Sequence, residues 1–146
     1  MDDPKQSIRA LVKRYFELLS GASLDLAEQI LAPDFVFHHP PLTPPGGWEG
    51  RDVFLEKGLG ATRAAFPDMR FSVADIVVEG NQAAARWVMT ATHEGEYLGA
   101  PATGRSVQVT GMNWFEVRAG LLAIAHVNRD TWGLLQQVSK REITLP

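Results

Sequence analysis

Apolar positions at Ile8, Leu11, Val12, Tyr15, Phe16, Leu18 and Leu19 recur at the i, i+3, i+4 and i+7 spacing of one helix face, which predicts an amphipathic helix over Lys5 to Ser20. Asp3 is its expected N-cap, Pro4 occupies the first helical position, and Gly21 breaks it. A shorter helix is predicted over Leu24 to Leu31, ended by Pro33, and a short strand follows over Asp34 to His39. The next stretch, Pro40-Pro41-Leu42-Thr43-Pro44-Pro45-Gly46-Gly47, fits neither helix nor central strand, because its prolines fix φ and remove amide donors. It reads as a stiff loop. Arg51 to Ala65 reads as a third helix, weakened by Gly58 and Gly60 and closed by Pro67.

From Met69 the period changes to two. Strands are predicted over Met69 to Glu79, Gln82 to Glu94, Arg105 to Arg118 and Leu121 to Asp130, with Gly80-Asn81 and Ala119-Gly120 as tight turns. Gly95 to Gly104 is a longer connection, and a short closing helix covers Trp132 to Val138. Helices first and an antiparallel meander afterwards is an α+β order, not a βαβ one. Three N-terminal helices covering one face of a strongly curved, mostly antiparallel sheet would leave a hollow between the layers, giving a cone-shaped α+β barrel with a pocket. The 146 residues suit a single domain over 1–146.

Composition narrows the classes. There is no Cys, so neither a disulfide framework nor thiolate chemistry is expected, in keeping with a cytoplasmic protein. No apolar run approaches the roughly 20 residues that span a bilayer, and Met1-Asp2-Asp3-Pro4 has no signal-peptide pattern. The net charge is −3 with both signs interspersed, so the clustered Lys/Arg footprint of a nucleic-acid binder is missing. The four His show no His-x-x-x-His spacing for a metal, and neither a Gly-x-Ser-x-Gly elbow nor a phosphate-binding loop is present. No cofactor and no metal is expected.

The candidate chemistry gathers at the end of the last strand. Period two places Leu122, Ile124, His126, Asn128 and Asp130 on one face, apolar at its start and polar at its end. Asp130 is the only acid between Glu116 and Glu142. Buried in an apolar hollow beside Trp114, Phe115, Trp132 and Leu134, it would be a base of raised pKa; as a helix N-cap before Thr131 and Trp132, it would accept amide hydrogen bonds. Both roles stay open. His126 lies about 13 Å from Asp130 along the strand, within reach of the other end of one ligand, or is a satisfied core or interface His. Asn128 is placed to orient a carbonyl, or is strand-end polarity. His38 and His39 point to opposite faces, so at most one lines the hollow. Asn113, on an otherwise apolar strand face, either lines it or bonds backbone beside Gly111. Trp48 either stacks on a planar ligand or anchors the proline loop. His93 is read as a gate or an exposed residue. Arg86 has no acid two residues on, which argues against one epoxide-hydrolase pattern. Val and Trp side chains on the outer sheet face suggest a homodimer.

Three stretches carry a family resemblance. They are Asp34-Phe35-Val36-Phe37-His38-His39-Pro40, then Phe66-Pro67-Asp68 with Phe71 and Val73, and Thr92-His93-Glu94-Gly95 through Gly99-Ala100-Pro101-Ala102-Thr103-Gly104-Arg105 with Asp130 to Gln136-Gln137. Together they resemble the SnoaL-like polyketide cyclases, within the nuclear transport factor 2-like cone fold. The resemblance implies a cofactor-free enzyme that closes a ring by aldol chemistry on a small hydrophobic, ketone-bearing molecule. It implies Asp130 as general acid/base, His126 beside it, and His38 as the family His; Trp48, Asn113, Asn128 and Trp132 complete the expected substrate contacts. Ala125 and His126 stand where the family often has an acid and a Trp.

Overall fold

The computed structural model describes residues 3–139. Helix α1 (Pro4–Leu19) starts at Asp3, whose carboxylate accepts from the Lys5 amide at 3.0 Å, and it buries Leu11, Val12, Tyr15, Phe16 and Leu18. Helix α2 (Leu26–Ile30) runs straight into β1 (Leu31–His38), which therefore begins three residues before the predicted start and takes in Pro33. A two-residue strand, β2 (Trp48–Glu49), pairs back on β1 and closes the proline loop. The third helical segment is not uniform. A turn of α3 (Arg51–Val53) opens into a π-helical stretch, Phe54–Gly60, and returns to α4 (Ala61–Ala65). The two glycines expected to weaken it, Gly58 and Gly60, lie in that stretch, a form often found beside functional sites.

Strands β3 (Arg70–Glu79), β4 (Gln82–Thr92), β5 (Ser106–Arg118) and β6 (Leu121–Arg129) form the predicted meander, and α5 (Thr131–Val138) closes the described chain. The sheet order is β2-β1-β6-β5-β4-β3. All neighbours are antiparallel except β1 and β6, which run parallel. The sheet is curved and does not close on itself. Its pairing register shifts at Leu31/Val36, Val73/Asp75 and Glu116/Val117, and such bulges bend and twist a strand.

Helix α1 lies across β3 and β4, and aromatic side chains fill the layer between. Tyr15 meets Phe115 edge-on at 5.0 Å, Phe16 meets Phe71 at 5.7 Å, and Phe35 and Phe37 pack on Phe54. The connection from β4 to β5 is held to α4: the Ala65 carbonyl accepts from the Glu94 and Gly95 amides, and a Cβ on Gly95 would lie 2.3 Å from the Ala64 oxygen, so only Gly allows the approach. Among the described residues no helix is long and apolar enough to cross a membrane.

Candidate active site

A cavity of about 270 Å³ opens between α1, the Arg51-to-Ala65 segment and the inner face of the sheet. Its walls are mostly apolar and aromatic, with Phe37, Trp48, Phe54, Leu59, Met69, Phe71, Met89, Val109 and Val127 among them. Trp48 and Asn113 line it, as two of the sequence-derived candidates. His38, His126, Asn128, Asp130 and Trp132 do not.

Asp130 is exposed and caps α5, its carboxylate accepting from the Gly133 amide at 2.8 Å. The expectation of a shielded acid is thereby corrected in favour of the capping alternative. His126 and Asn128 are exposed on the outer face of the sheet, and His38 lies there too. The His38 and His126 rings stack at 4.3 Å with planes 4° apart. Burial, then the neighbouring His126, lowers the pKa of His38. Trp132 is 44 % exposed on α5. His93 is not exposed but fully buried, with its Nδ1 accepting from the Thr103 amide at 3.3 Å. Arg86 pairs on the outer face with Asp75 of the adjacent strand.

The polar groups that reach the cavity come from other positions. His39, one residue past β1, follows Phe35 and Phe37 on the inward phase and is buried. Its backbone is fixed: its amide donates to Thr43 Oγ1 at 2.9 Å, and its carbonyl accepts from Leu42 and Thr43. Its Nε2 is buried and has no hydrogen-bond partner. Burial, followed by the positive charge of Arg129, pushes its pKa down to about 4, so the ring is neutral at pH 7.

Arg129 enters from the end of β6. Its Nη2 donates to the Tyr97 hydroxyl, its Nε donates to Thr131 Oγ1 at 3.3 Å, and its Cζ lies 5.3 Å from the Tyr97 ring centroid. Both oxygens are neutral, and among the described residues the only ion pair is the one on the outer face. Tyr97 is presented by a tight turn in which Tyr97 and Ala100 exchange backbone hydrogen bonds of 2.9 Å. Lys57 lines the wall as well, and no Asp or Glu does. Deeper, Asn113 accepts from the Trp87 indole at 2.8 Å.

The pattern in sequence that points to His39 is the run Phe35, Phe37, His39, in which period two carries the buried face onto the second His of the pair. Arg129 and Tyr97 carry no comparable signal. One belongs to the face assigned to solvent, and the other to a connection without period.

A model of the SnoaL-like domain matches residues 12–125. No curated protein matches the chain. Among solved structures, IdmH of Streptomyces antibioticus, a candidate polyketide cyclase, is 31% identical over 88% of this chain and 96% of its own, with a TM-score of 0.76. TsrD of Streptomyces laurentii superposes with a TM-score of 0.82 at 22% identity, over 96% of this chain and all of its own. AclR of Streptomyces galilaeus, a candidate hydroxylase, gives 0.80 at 22% identity, over 97% of this chain and 86% of its own. At such identities the last two speak for the fold alone.

Proposed function

The chain belongs to the SnoaL-like domain family, and from that premise we propose that it is a cofactor-free, cyclase-like enzyme acting on a small hydrophobic ketone by acid/base chemistry, with His39 as the base. The observation that carries the reading is the His39 Nε2, an unpartnered lone-pair or N–H site buried in an apolar cavity beside a guanidinium that no described carboxylate neutralises.

An intramolecular aldol fits these parts. Neutral His39 takes a proton from the carbon next to one carbonyl, and Arg129 with Tyr97 stabilises the enolate oxygen. The enolate carbon attacks a second carbonyl of the same molecule, a carbon–carbon bond forms, and the new alkoxide takes a proton that the imidazolium or water supplies. Redox state and composition are unchanged, so the reaction itself calls for no cofactor. The apolar walls support the choice of a hydrophobic substrate, because they fold a flexible chain while leaving few competing polar contacts.

The test uses the aryl diketone 1-phenylhexane-1,5-dione, which closes to 3-hydroxy-3-phenylcyclohexanone. Wild type is expected to accelerate closure, and His39→Gln to lose on the order of a hundredfold or more in kcat while still quenching the fluorescence of Trp48 and Trp87 on binding. Turnover unchanged in His39→Gln removes the base from the mechanism. Binding without turnover in wild type leaves a non-catalytic small-molecule-binding module as the reading.

The assembly proposed is a homodimer in the cytoplasm. Val77, Met112 and Trp114 project from the outer sheet face at 66 %, 56 % and 45 % exposure, a patch suited to a second copy.

A further inference from the structure

The cavity holds a second polar cluster, apart from His39 and Arg129, and its hydrogens can be counted. The Trp87 indole nitrogen can only donate, so its 2.8 Å contact fixes Asn113 Oδ1 as the acceptor and settles which way the amide points. The amide nitrogen therefore faces the other way, and the Asn113 hydrogen bond to Tyr15 runs from amide N–H to phenol oxygen. The chain is Trp87 to Asn113 to Tyr15, and it ends on the Tyr15 O–H. Among the described residues nothing accepts that hydrogen. Buried hydroxyls are almost always satisfied, and the cavity is the space left for an acceptor.

Each member is nearly inaccessible, at 4 %, 3 % and 1 % exposure, and each lines the cavity. The seat is rigid. Tyr15 is wedged against Phe115 at 5.0 Å and Phe16 at 5.2 Å. Trp87 lies over Gly111, where any Cβ would come within 2.3 Å of the indole ring. Burial also raises the phenol pKa, which keeps it a donor.

The register places this cluster relative to the base. Asn113 is paired with Val127, and parallel pairing of His38 with His126 brings His39 beside the same Val127. Neighbouring strands are about 4.8 Å apart, so the His39 and Asn113 backbones stand about 10 Å apart with Val127 between them. Arg129 is one pleat repeat further along β6, about 7 Å from Val127. Two oxygen-binding ends thus flank an apolar saddle.

We propose that Tyr15 is a second catalytic donor, which holds the oxygen of the carbonyl under attack while Arg129 and Tyr97 hold the enolate oxygen. The substrate is then a diketone folded across Val127, with one carbonyl at each end. As the carbon–carbon bond forms, the attacked oxygen gains charge, and the Tyr15 hydrogen bond strengthens without giving up its proton. The catalytic part rests on the aldol reading above, whereas carbonyl binding at Tyr15 does not.

The experiment separates the two. 2-Acetylnaphthalene, labelled with carbon-13 at its carbonyl, has one ketone and cannot cyclise; it is bound to wild type, Tyr15→Phe, Trp87→Phe and Arg129→Met. The bound carbonyl band is read by difference infrared spectroscopy and affinity by tryptophan quenching. Wild type is expected to show a band at lower frequency than Tyr15→Phe, with Tyr15→Phe about fivefold to tenfold weaker in affinity. Trp87→Phe, which frees Asn113 to turn, is expected to give an intermediate band. A band that Arg129→Met moves and Tyr15→Phe leaves alone overturns the proposal. So does a Tyr15→Phe variant that closes the aryl diketone with unchanged kcat, if wild type closes it. Should wild type bind the ketone with a Tyr15-dependent band yet never close the diketone, the donor site stands and the aldol reading falls.

Discussion

Replacing His39 by Gln isolates the most perturbed imidazole of the site, and acid titration of stability measures how strongly the fold keeps it neutral. In the unfolded chain this His binds a proton near the ordinary value of 6.5; in the folded chain it does so only near 4. Between those values the unfolded state holds one more proton than the native state, so stability falls as pH falls. The slope is about 1.4 kcal/mol per pH unit, and the whole window amounts to about 3 kcal/mol. Above the unfolded value the contribution is complete, and below the folded value no more is lost. The assay is urea unfolding followed by tryptophan fluorescence at several pH values from 7.5 to 4.5, for wild type and His39→Gln in parallel. Subtraction removes the shared contributions, including that of His38, whose folded pKa is also lowered. The wild-type-minus-variant difference should shift against wild type by about 2 to 3 kcal/mol over the range. A difference that stays flat would falsify the placement of a neutral, buried imidazole at this position, and with it the base assigned above.

Asp130→Ala removes the α5 cap and is expected to cost about 1 kcal/mol in urea unfolding while leaving diketone turnover within twofold; a hundredfold loss of kcat would restore the acid to the mechanism. Trp114→Arg places a charge on the outer sheet face and is expected to convert the dimer to monomer in sedimentation velocity without loss of helix or sheet signal. A wild-type chain that sediments as a monomer at tens of micromolar would remove the paired-sheet proposal before the variant is made.

Much of the fold was legible because it rests on local periodicity. The α1 stripe, the prolines after His39 and the Gly-marked turns between strands each point to one element, and those elements appear. What local pattern does not carry is non-local pairing. Nothing in the Leu31-to-His38 stretch says that it adds to β6 in parallel, yet that pairing brings His39 beside Val127 and creates the wall. Nor does composition reveal that Phe54–Gly60 widens into a π-helix, which depends on the packing of Phe54 against Phe35 and Phe37.

The displacement of the expected site has a single geometric origin. Leu122 is buried, and period two from it carries the inward face to Ile124, His126, Asn128 and Asp130. But Ala123 is buried as well: Val117 pairs with Leu122 and Glu116 with Ile124, so Ala123 is an extra residue, a bulge in β6. One inserted residue inverts the parity of everything after it. Ala125, Val127 and Arg129 turn inward, and the polar row turns out to solvent. In β1 the register shift lies between Leu31 and Val36, before the chemistry, so Phe35 and Phe37 carry the inward phase unbroken to His39. Two strands with similar polar endings thus required opposite extrapolations, and the deciding feature was where the bulge fell. The apolar residues immediately flanking the polar ones, Ala125 and Val127 around His126, hold the correct phase. Their small size made them weaker signals than Leu122 and Ile124, and that size is also what leaves room for a ligand in front of the sheet.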